Sequence, residues 1–248
     1  INFFGPGWIF GIKNPYEDFS DEEIITFEKQ ASDELQREGL IKISNTNQIQ
    51  LDEMLGGMVY ACVEPKSSMQ ALFADRKEER FYHFLPDWRL ELYRADDAYS
   101  LTLFKERSDL FPHIIKSFDV HLQEKSQEFQ FSIGERDLEL ASFLYESDKK
   151  QKAEEIFKKN SSGETPPTEE FLQGYLNPDF HFIFNMLYER NNEKRIHATK
   201  NEFIQTNEIL YWVTHDDVGE EELLEITNFS SISAEEAEHR FNLMLPEN

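Results

Sequence analysis

The sequence predicts an α+β fold built from two similar halves, and three observations support this prediction. The 248 residues are 39% hydrophobic and 14% aromatic, a composition that can bury a sizeable core. Helical and strand-like periodicities alternate along the chain. A stretch with an Asp-Asp pair between strand-like runs, RADDAYSLTLF at 94–104, has a counterpart in THDDVGEEELLEITNF at 214–229. A helix-like segment follows each stretch, which predicts an internal duplication.

The first half is predicted to open with a helix. Ser20 and Glu23 have the spacing of a capping box, and Gly39 is placed to end the helix. Its apolar positions recur at helical spacing and are expected to face the core; they are Ile24, Phe27, Ala31 and Leu35. The run LIKISNTNQIQLDEMLGGMVYACV then predicts two short strands and a short helix.

Four β-rich segments follow and predict an antiparallel meander. They are SMQALFAD, ERFYHFL, WRLELYR and YSLTLFK. Asp96 and Asp97 are expected to form the tip of the last hairpin. A helix starting at Ser108 is predicted to end the first half.

The second half is predicted to repeat this order. A helix pattern runs through DLELASFLYESDKKQKAEEIFKK, and Pro166, Pro167 and Thr168 are suited to open a short helix, EEFLQGYL. Four strand-like runs follow, FHFIFNMLYER, KRIHATKNEF, EILYWVTH and ELLEITNF, and Ser233 with Glu236 opens a last helix. The predicted divisions are an irregular arm (1–19), a first half (20–118), a bridge (119–134) and a second half (135–248).

The charge of the chain argues against nucleic acid as a partner. With 49 acidic and 25 basic residues, the formal charge is -24, which repels phosphates. The two short strands and the helix suggest a winged helix, but LDEMLGGMVYACV contains no Arg or Lys to contact DNA. No run is long and apolar enough for membrane insertion and no signal peptide pattern opens the chain, so we expect a cytoplasmic protein. The sequence begins with Ile1 and not with Met, which leaves open whether residues precede it.

No recognisable catalytic motif occurs, so we expect that the protein is not an enzyme and uses no cofactor. The histidines and acids that could be considered metal ligands lack defined spacing and are better explained as strand-end and turn residues; they are His181, His197, His215, Asp216 and Asp217. Cys62 lies in the apolar run MVYACV and is expected to be a buried structural thiol.

Three stretches of the chain resemble the accessory proteins encoded beside type VII secretion systems in Gram-positive bacteria. They are WIFGIKNPYEDFSDEEI, LIKISNTNQIQLDEML and RFYHFLPDWRLELYRADDAYSLTLF. The chain as a whole resembles the EspG-like proteins of these ESAT-6-type systems. The resemblance implies two halves related by a pseudo-twofold axis and sharing a central antiparallel sheet. It also implies a cytosolic, non-enzymatic protein that binds helical secretion substrates.

Aromatic and apolar side chains are the candidates for contacting a partner. Trp88, Tyr93, Tyr211 and Trp212 are predicted to lie on strands, where burial in the sheet core is the competing expectation. Ile156 and Phe157 lie in the segment 147–168, which we interpret as a variable loop. An acidic immunity protein that neutralises a basic toxin is the alternative function. The sequence leaves the oligomeric state open.

Overall fold

A computed structural model of the chain contains seven helices and twelve strands within the residues it describes. Those residues are 11–12, 16, 19–44, 49–63, 65–73, 78–95, 98–122, 128–189, 196–206, 209–218 and 224–246. The helices are α1 (Asp21–Arg37), α2 (Glu53–Val63), α3 (Leu110–Ser117), α4 (Glu135–Glu146), α5 (Lys150–Asn160), α6 (Thr168–Leu176) and α7 (Ala234–Met244). The strands are β1 (Ile41–Ile43), β2 (Ile49–Leu51), β3 (Ser67–Phe73), β4 (Glu78–Phe84), β5 (Arg89–Ala95), β6 (Ala98–Phe104), β7 (Gln130–Gly134), β8 (Ser162–Glu164), β9 (Phe180–Glu189), β10 (Ile196–Thr206), β11 (Ile209–Val218) and β12 (Leu224–Ser231).

Strands β3 to β12 form a ten-stranded antiparallel sheet, and β1 and β2 form a separate hairpin. The order in the large sheet is β6-β5-β4-β3-β9-β10-β11-β12-β7-β8. The predicted α+β class with a large antiparallel sheet is therefore confirmed. The predicted four-stranded meander of the first half is present as β3 to β6, and the four strand-like runs of the second half form the neighbouring strands β9 to β12. The internal duplication stays a prediction.

The second Asp-Asp pair does not lie in a turn. Asp96 and Asp97 lie outside the described residues. Asp216 and Asp217 lie within β11, where they are in register with Ile226 and Glu225 of β12. The interpretation of the second pair as turn residues is wrong, because β11 and β12 remain paired beyond it.

Helix α1 begins as predicted but does not face a core. The backbone N–H of Ser20 donates to the Glu23 carboxylate at 2.8 Å, as a capping box requires. Gly39 has a φ of +75°, the left-handed conformation that favours glycine at a helix end. None of the α1 residues is fully buried: of the predicted stripe, Ile24, Ala31 and Leu35 are partly buried and Phe27 is 43% exposed. The expectation of a core-facing stripe on α1 is therefore wrong.

Two compact units divide the chain. The first unit lies within residues 1–68 and 80–105 and contains α1, α2 and strands β4 to β6. Its helix α2 packs on β5 through a small cluster of buried side chains, Ala61, Cys62 and Leu90. Partly buried leucines of β6 pack against the same cluster.

The second unit lies within residues 69–79 and 106–247 and has helices on both faces of its strands. On one face, Phe131 and Phe229 stack with ring centroids 4.9 Å apart, and side chains of α4, α5 and α6 complete the cluster. On the other face, Phe203 contacts Phe111 of α3, which in turn contacts Phe241 of α7. Alternation along β10 explains this arrangement, since neighbouring residues of a strand point to opposite faces.

In the second unit, two segments have a structure that differs from the predicted one. The bridge contains strand β7, which pairs with β12. The single predicted helix from 137 to 159 is two helices, α4 and α5, because Asp148 adopts a φ of 58° between them. As a result, most of the segment 147–168 is helical and is not a loop. Within the part of the chain that the structure describes, none of the helices combines the length and hydrophobicity needed to span a membrane.

Candidate partner-binding groove

An apolar groove lies in the first unit, between α2 and the strand ends of β4 to β6. Its volume is about 780 Å³. Met58 and Ala61 of α2 line it together with Leu85, Trp88 and Leu103. The Asp52 carboxylate caps the start of helix α2, because it accepts hydrogen bonds from the backbone N–H groups of Met54 and Leu55, at 3.0 and 3.2 Å.

Large apolar side chains are exposed at the rim of this groove. Met54 is 67% exposed, Tyr60 50% and Trp88 48%. The first unit contains nine of the twelve large hydrophobic side chains that are exposed among the described residues. Single exposed apolar residues are normal on a protein surface, whereas a concentration of them marks an interaction surface.

The rim of the groove also carries acidic residues on one side and a basic residue on the other. Asp52 and Glu53 lie at the start of α2, and Lys105 follows β6. The acids lie at the amino-terminal end of α2, where negative charge is favourable to the helix dipole. The groove therefore offers an apolar surface for a partner together with acidic groups for basic side chains beside it.

Of the aromatic residues predicted to contact a partner, Trp88 and Tyr93 have different surroundings. The prediction that Trp88 lies on a strand is wrong, because it lies in the short connection from β4 to β5, where its carbonyl accepts a hydrogen bond from the Leu85 N–H at 2.9 Å. Trp88 contributes to the groove. Tyr93 lies on β5 with the Arg80 guanidinium 4.0 Å from its ring centroid, so its ring face is already occupied.

The other four predicted contact residues lie in the second unit. Phe157, Tyr211 and Trp212 are buried, with 0%, 1% and 8% of their surfaces exposed. Ile156 is partly buried against the same cluster as Phe157. These residues pack in the core of the second unit. For Tyr211 and Trp212, burial in the sheet core was the competing expectation. The exposed groove residues Met54 and Tyr60 were missed, although the apolar, uncharged face of α2 is visible in the sequence.

A cluster of polar side chains surrounds Glu202 on the sheet of the second unit. The His215 Nε2 and the Lys200 Nζ lie 2.5 and 2.7 Å from Glu202 Oε1, and the His181 Nε2 contacts Oε2. Glu202 is in register with Ile183 of β9 and with Val213 of β11. The two histidines are therefore diagonal cross-strand neighbours, which long side chains can reach.

The surroundings of Glu202 keep it ionised although it is buried. Burial raises the pKa of the carboxyl group, but hydrogen bonds from His181, His215 and Lys200 outweigh burial and hold the pKa well below its usual value. The sequence suggested His181 and His215 separately and missed Glu202, because their proximity depends on strand register. No group of three or more metal-ligating side chains is found among the described residues. The cluster is best described as a hydrogen-bonded ion network.

Cys62 contributes packing and not reactivity. It lies in α2 and is buried against Leu90 of β5, and burial raises the pKa of its thiol to about 11. At neutral pH the thiol is therefore protonated and a poor nucleophile.

The comparisons with known proteins give one informative result. No family model matches the chain, and no curated protein matches it. The structure is similar to that of the Mycobacterium tuberculosis type VII secretion system chaperone EspG5, solved in complex with a PE25–PPE41 dimer. The similarity covers 86% of this chain and 81% of EspG5, with a TM-score of 0.55.

This chain has the EspG5 fold. The resemblance predicted from the sequence is therefore confirmed for the fold. The two sequences are only 6% identical. Almost entirely different residues thus form the same fold, so no residue role is carried from EspG5 to this chain.

Proposed function

We propose that the protein is a non-enzymatic, chaperone-like binding protein of a type VII secretion system, and that it captures helical secretion substrates in the cytoplasm. The EspG5 fold supports this proposal, since the similar protein is described as a type VII secretion chaperone in complex with a protein dimer. The observation in this chain that carries the proposal is the apolar groove of the first unit, with its exposed Met54, Tyr60 and Trp88.

The groove fits an amphipathic helix for two physical reasons. Flexible methionines such as Met54 and Met58 adapt to different apolar side chains and are common where proteins bind helices in grooves. The acidic start of α2 favours a helix with Lys or Arg beside its apolar stripe. The strongly acidic remainder of the chain would keep the complex soluble.

The test is co-purification with the helical proteins encoded beside the gene and secreted by the same system. Each is co-expressed with the affinity-tagged protein, and the retained amount is measured for the wild type and for the double variant Met54→Glu/Trp88→Glu. Because central apolar contacts dominate binding, we expect the variant to weaken binding by at least about 10-fold.

The matched control places the same charges on α4 of the second unit. Leu140 and Phe143 are 45% and 61% exposed, so Leu140→Glu/Phe143→Glu makes an equivalent change far from the groove in sequence. Unchanged retention by the groove variant, or an equal loss with the control, would argue against the groove. A steep fall of the association rate with salt would instead favour the immunity-protein alternative, in which electrostatics dominate.

A further inference from the structure

Strand β6 is an edge of the described ten-stranded sheet, and its sequence carries none of the usual features that discourage pairing with another strand. Among the described strands it has β5 as its only neighbour. Its seven residues, AYSLTLF, contain no charge, no proline and no glycine. Native edge strands normally carry Lys, Pro or a bulge, or are very short, because unpaired N–H and C=O groups recruit other strands.

The opposite edge of the sheet, β8, shows the protection that β6 lacks. Strand β8 has three residues, which pair with β7. Gly163 at its centre has a φ of +97°, and Glu164 adds a negative charge. A short, charged and irregular strand is a poor template for pairing. The two edges of the sheet therefore differ in how readily they can pair with another strand.

We propose that β6 pairs with β6 of a second copy of this chain, in antiparallel orientation about a twofold axis at Leu101. This register places Tyr99 opposite Leu103 and Ser100 opposite Thr102. Apolar side chains then meet apolar ones on the face that α2 covers, and hydroxyl groups meet on the other face. The sequence of β6 is thus complementary to itself, as an interface between two identical surfaces requires.

The absence of charge on β6 allows a second copy to approach this edge. Two molecules of formal charge -24 repel each other wherever acidic surfaces meet, so self-association needs an uncharged surface. Strand β6 provides an uncharged surface: Ala98, Tyr99 and Ser100 are exposed, Leu101 to Leu103 are partly buried, and Phe104 is buried. Twofold pairing also closes the assembly, because β6 of each copy is consumed and the protected β8 edges remain.

The expected dimer dissociates on dilution. Paired seven-residue strands bury less than the roughly 1,200–2,000 Å² typical of stable complexes. Sedimentation velocity between about 1 µM and about 500 µM, a range that covers such weak association, tests this expectation. The average mass should rise with concentration from 29.4 kDa towards twice that value.

Paired charge variants test the interface itself. The variants Ser100→Glu/Thr102→Glu and Ser100→Lys/Thr102→Lys each place like charges opposite each other in the proposed register. Each alone should remain monomeric, with the dissociation constant raised at least about 10-fold, and an equimolar mixture should dimerise again. The recovery on mixing also shows that both variants are folded.

The control is Gln151→Lys/Gln173→Lys, which adds the same charge at exposed positions of α5 and α6 and should leave the dimer intact. A wild type that stays at 29.4 kDa throughout, or a dimer that survives both variants unmixed, overturns the proposal. The inference does not rest on the proposed function, because these variants leave Met54 and Trp88 unchanged.

Discussion

Glu202 is held as a buried anion by donors on its own strand and on both neighbouring strands. Its side chain is 5% exposed, whereas those of His181 and His215 are 23% and 17% exposed. A buried carboxylate without partners would be strongly destabilising, so the three donors are required for the charge to remain inside the protein. The network therefore connects β9, β10 and β11 at one place.

We expect Glu202→Gln to lower the free energy of unfolding by about 2–3 kcal/mol at neutral pH. The reason is that Lys200, His181 and His215 all lose a charged hydrogen-bond acceptor. The pKa of Glu202 is lowered in the folded state, so its contribution is complete above the usual value of 4.5 and is lost as the pH falls below it. Urea unfolding at several pH values measures this.

The difference between wild type and Glu202→Gln should accordingly narrow below about pH 4.5. The exposed Glu155 provides the control, and Glu155→Gln should change the free energy of unfolding by less than about 0.5 kcal/mol. A difference that is independent of pH would contradict the role assigned to the carboxylate.

Single residues of the groove could be predicted only in part. Trp88 was identified as a candidate because large aromatic side chains dominate the energetics of both cores and interfaces. Tyr211 and Trp212 carried the same signal, but helices cover both faces of β11, so both alternating positions are buried. Periodicity within one strand cannot show whether the second face of a sheet is covered.

At the scale of elements, Arg107 fixes the end of α7. Its guanidinium donates to the carbonyl oxygens of Asn242, Leu245 and Pro246, with the Leu245 bond at 2.8 Å. The last carbonyls of a helix have no partners within it, so this arginine satisfies groups that α7 leaves unpaired.

The substitution Arg107→Gln should lower the free energy of unfolding by about 1–3 kcal/mol and loosen the end of α7. The reason is that charge-assisted hydrogen bonds to several carbonyl oxygens are lost. Hydrogen exchange of the backbone amides from 241 to 245 measures the local effect. Arg240, which pairs with Glu236 one turn away at 2.7 Å, is the control, and Arg240→Gln should cost less than about 0.5 kcal/mol. Equal effects of the two variants would refute the special role of Arg107.

Elements with strong local signals were predicted, and those that depend on distant partners were not. The capping residues Ser20 and Ser233 marked helix starts because they act within one turn. Strand β7 was missed because its five residues sit in a polar segment and pair with a strand about 95 residues later. Nothing within its own sequence indicates that partner.

At the scale of the whole molecule, the excess of acidic residues opposes folding through self-repulsion. A formal charge of -24 is spread over a compact structure, and unfolding separates those charges. Raising the salt concentration from about 0.01 to about 0.1 M shortens the screening length from about 30 to about 10 Å. We expect the melting temperature to rise by about 2–4 °C, as thermal unfolding can measure.

The same titration close to the isoelectric point of about 4.6 is the control, because little net charge remains there to screen. A melting temperature that falls with salt at neutral pH would contradict the prediction. It would indicate that attractive pairs, such as Lys200 with Glu202, outweigh the net repulsion.

The fold as a whole was predictable to the level of its class and its two meanders. The repeated Asp-Asp stretch pointed to the right strands, yet the second pair lies inside β11. Hydrophobic alternation determines which residues pair across strands, and two similar turn sequences do not fix where a hairpin ends.

The pairing of β7 with β12 also has a consequence for synthesis on the ribosome. Ser132 of β7 bonds to Asn228 of β12 at 2.6 Å across 96 residues of sequence. At about 5–20 residues per second, β7 emerges roughly 5–20 s before its partner exists. During that interval the three-residue β8 can pair with Phe131, but Ile133 lacks its partner Thr227 and Phe131 lacks the ring of Phe229 that covers it, so apolar surface stays exposed to aggregation.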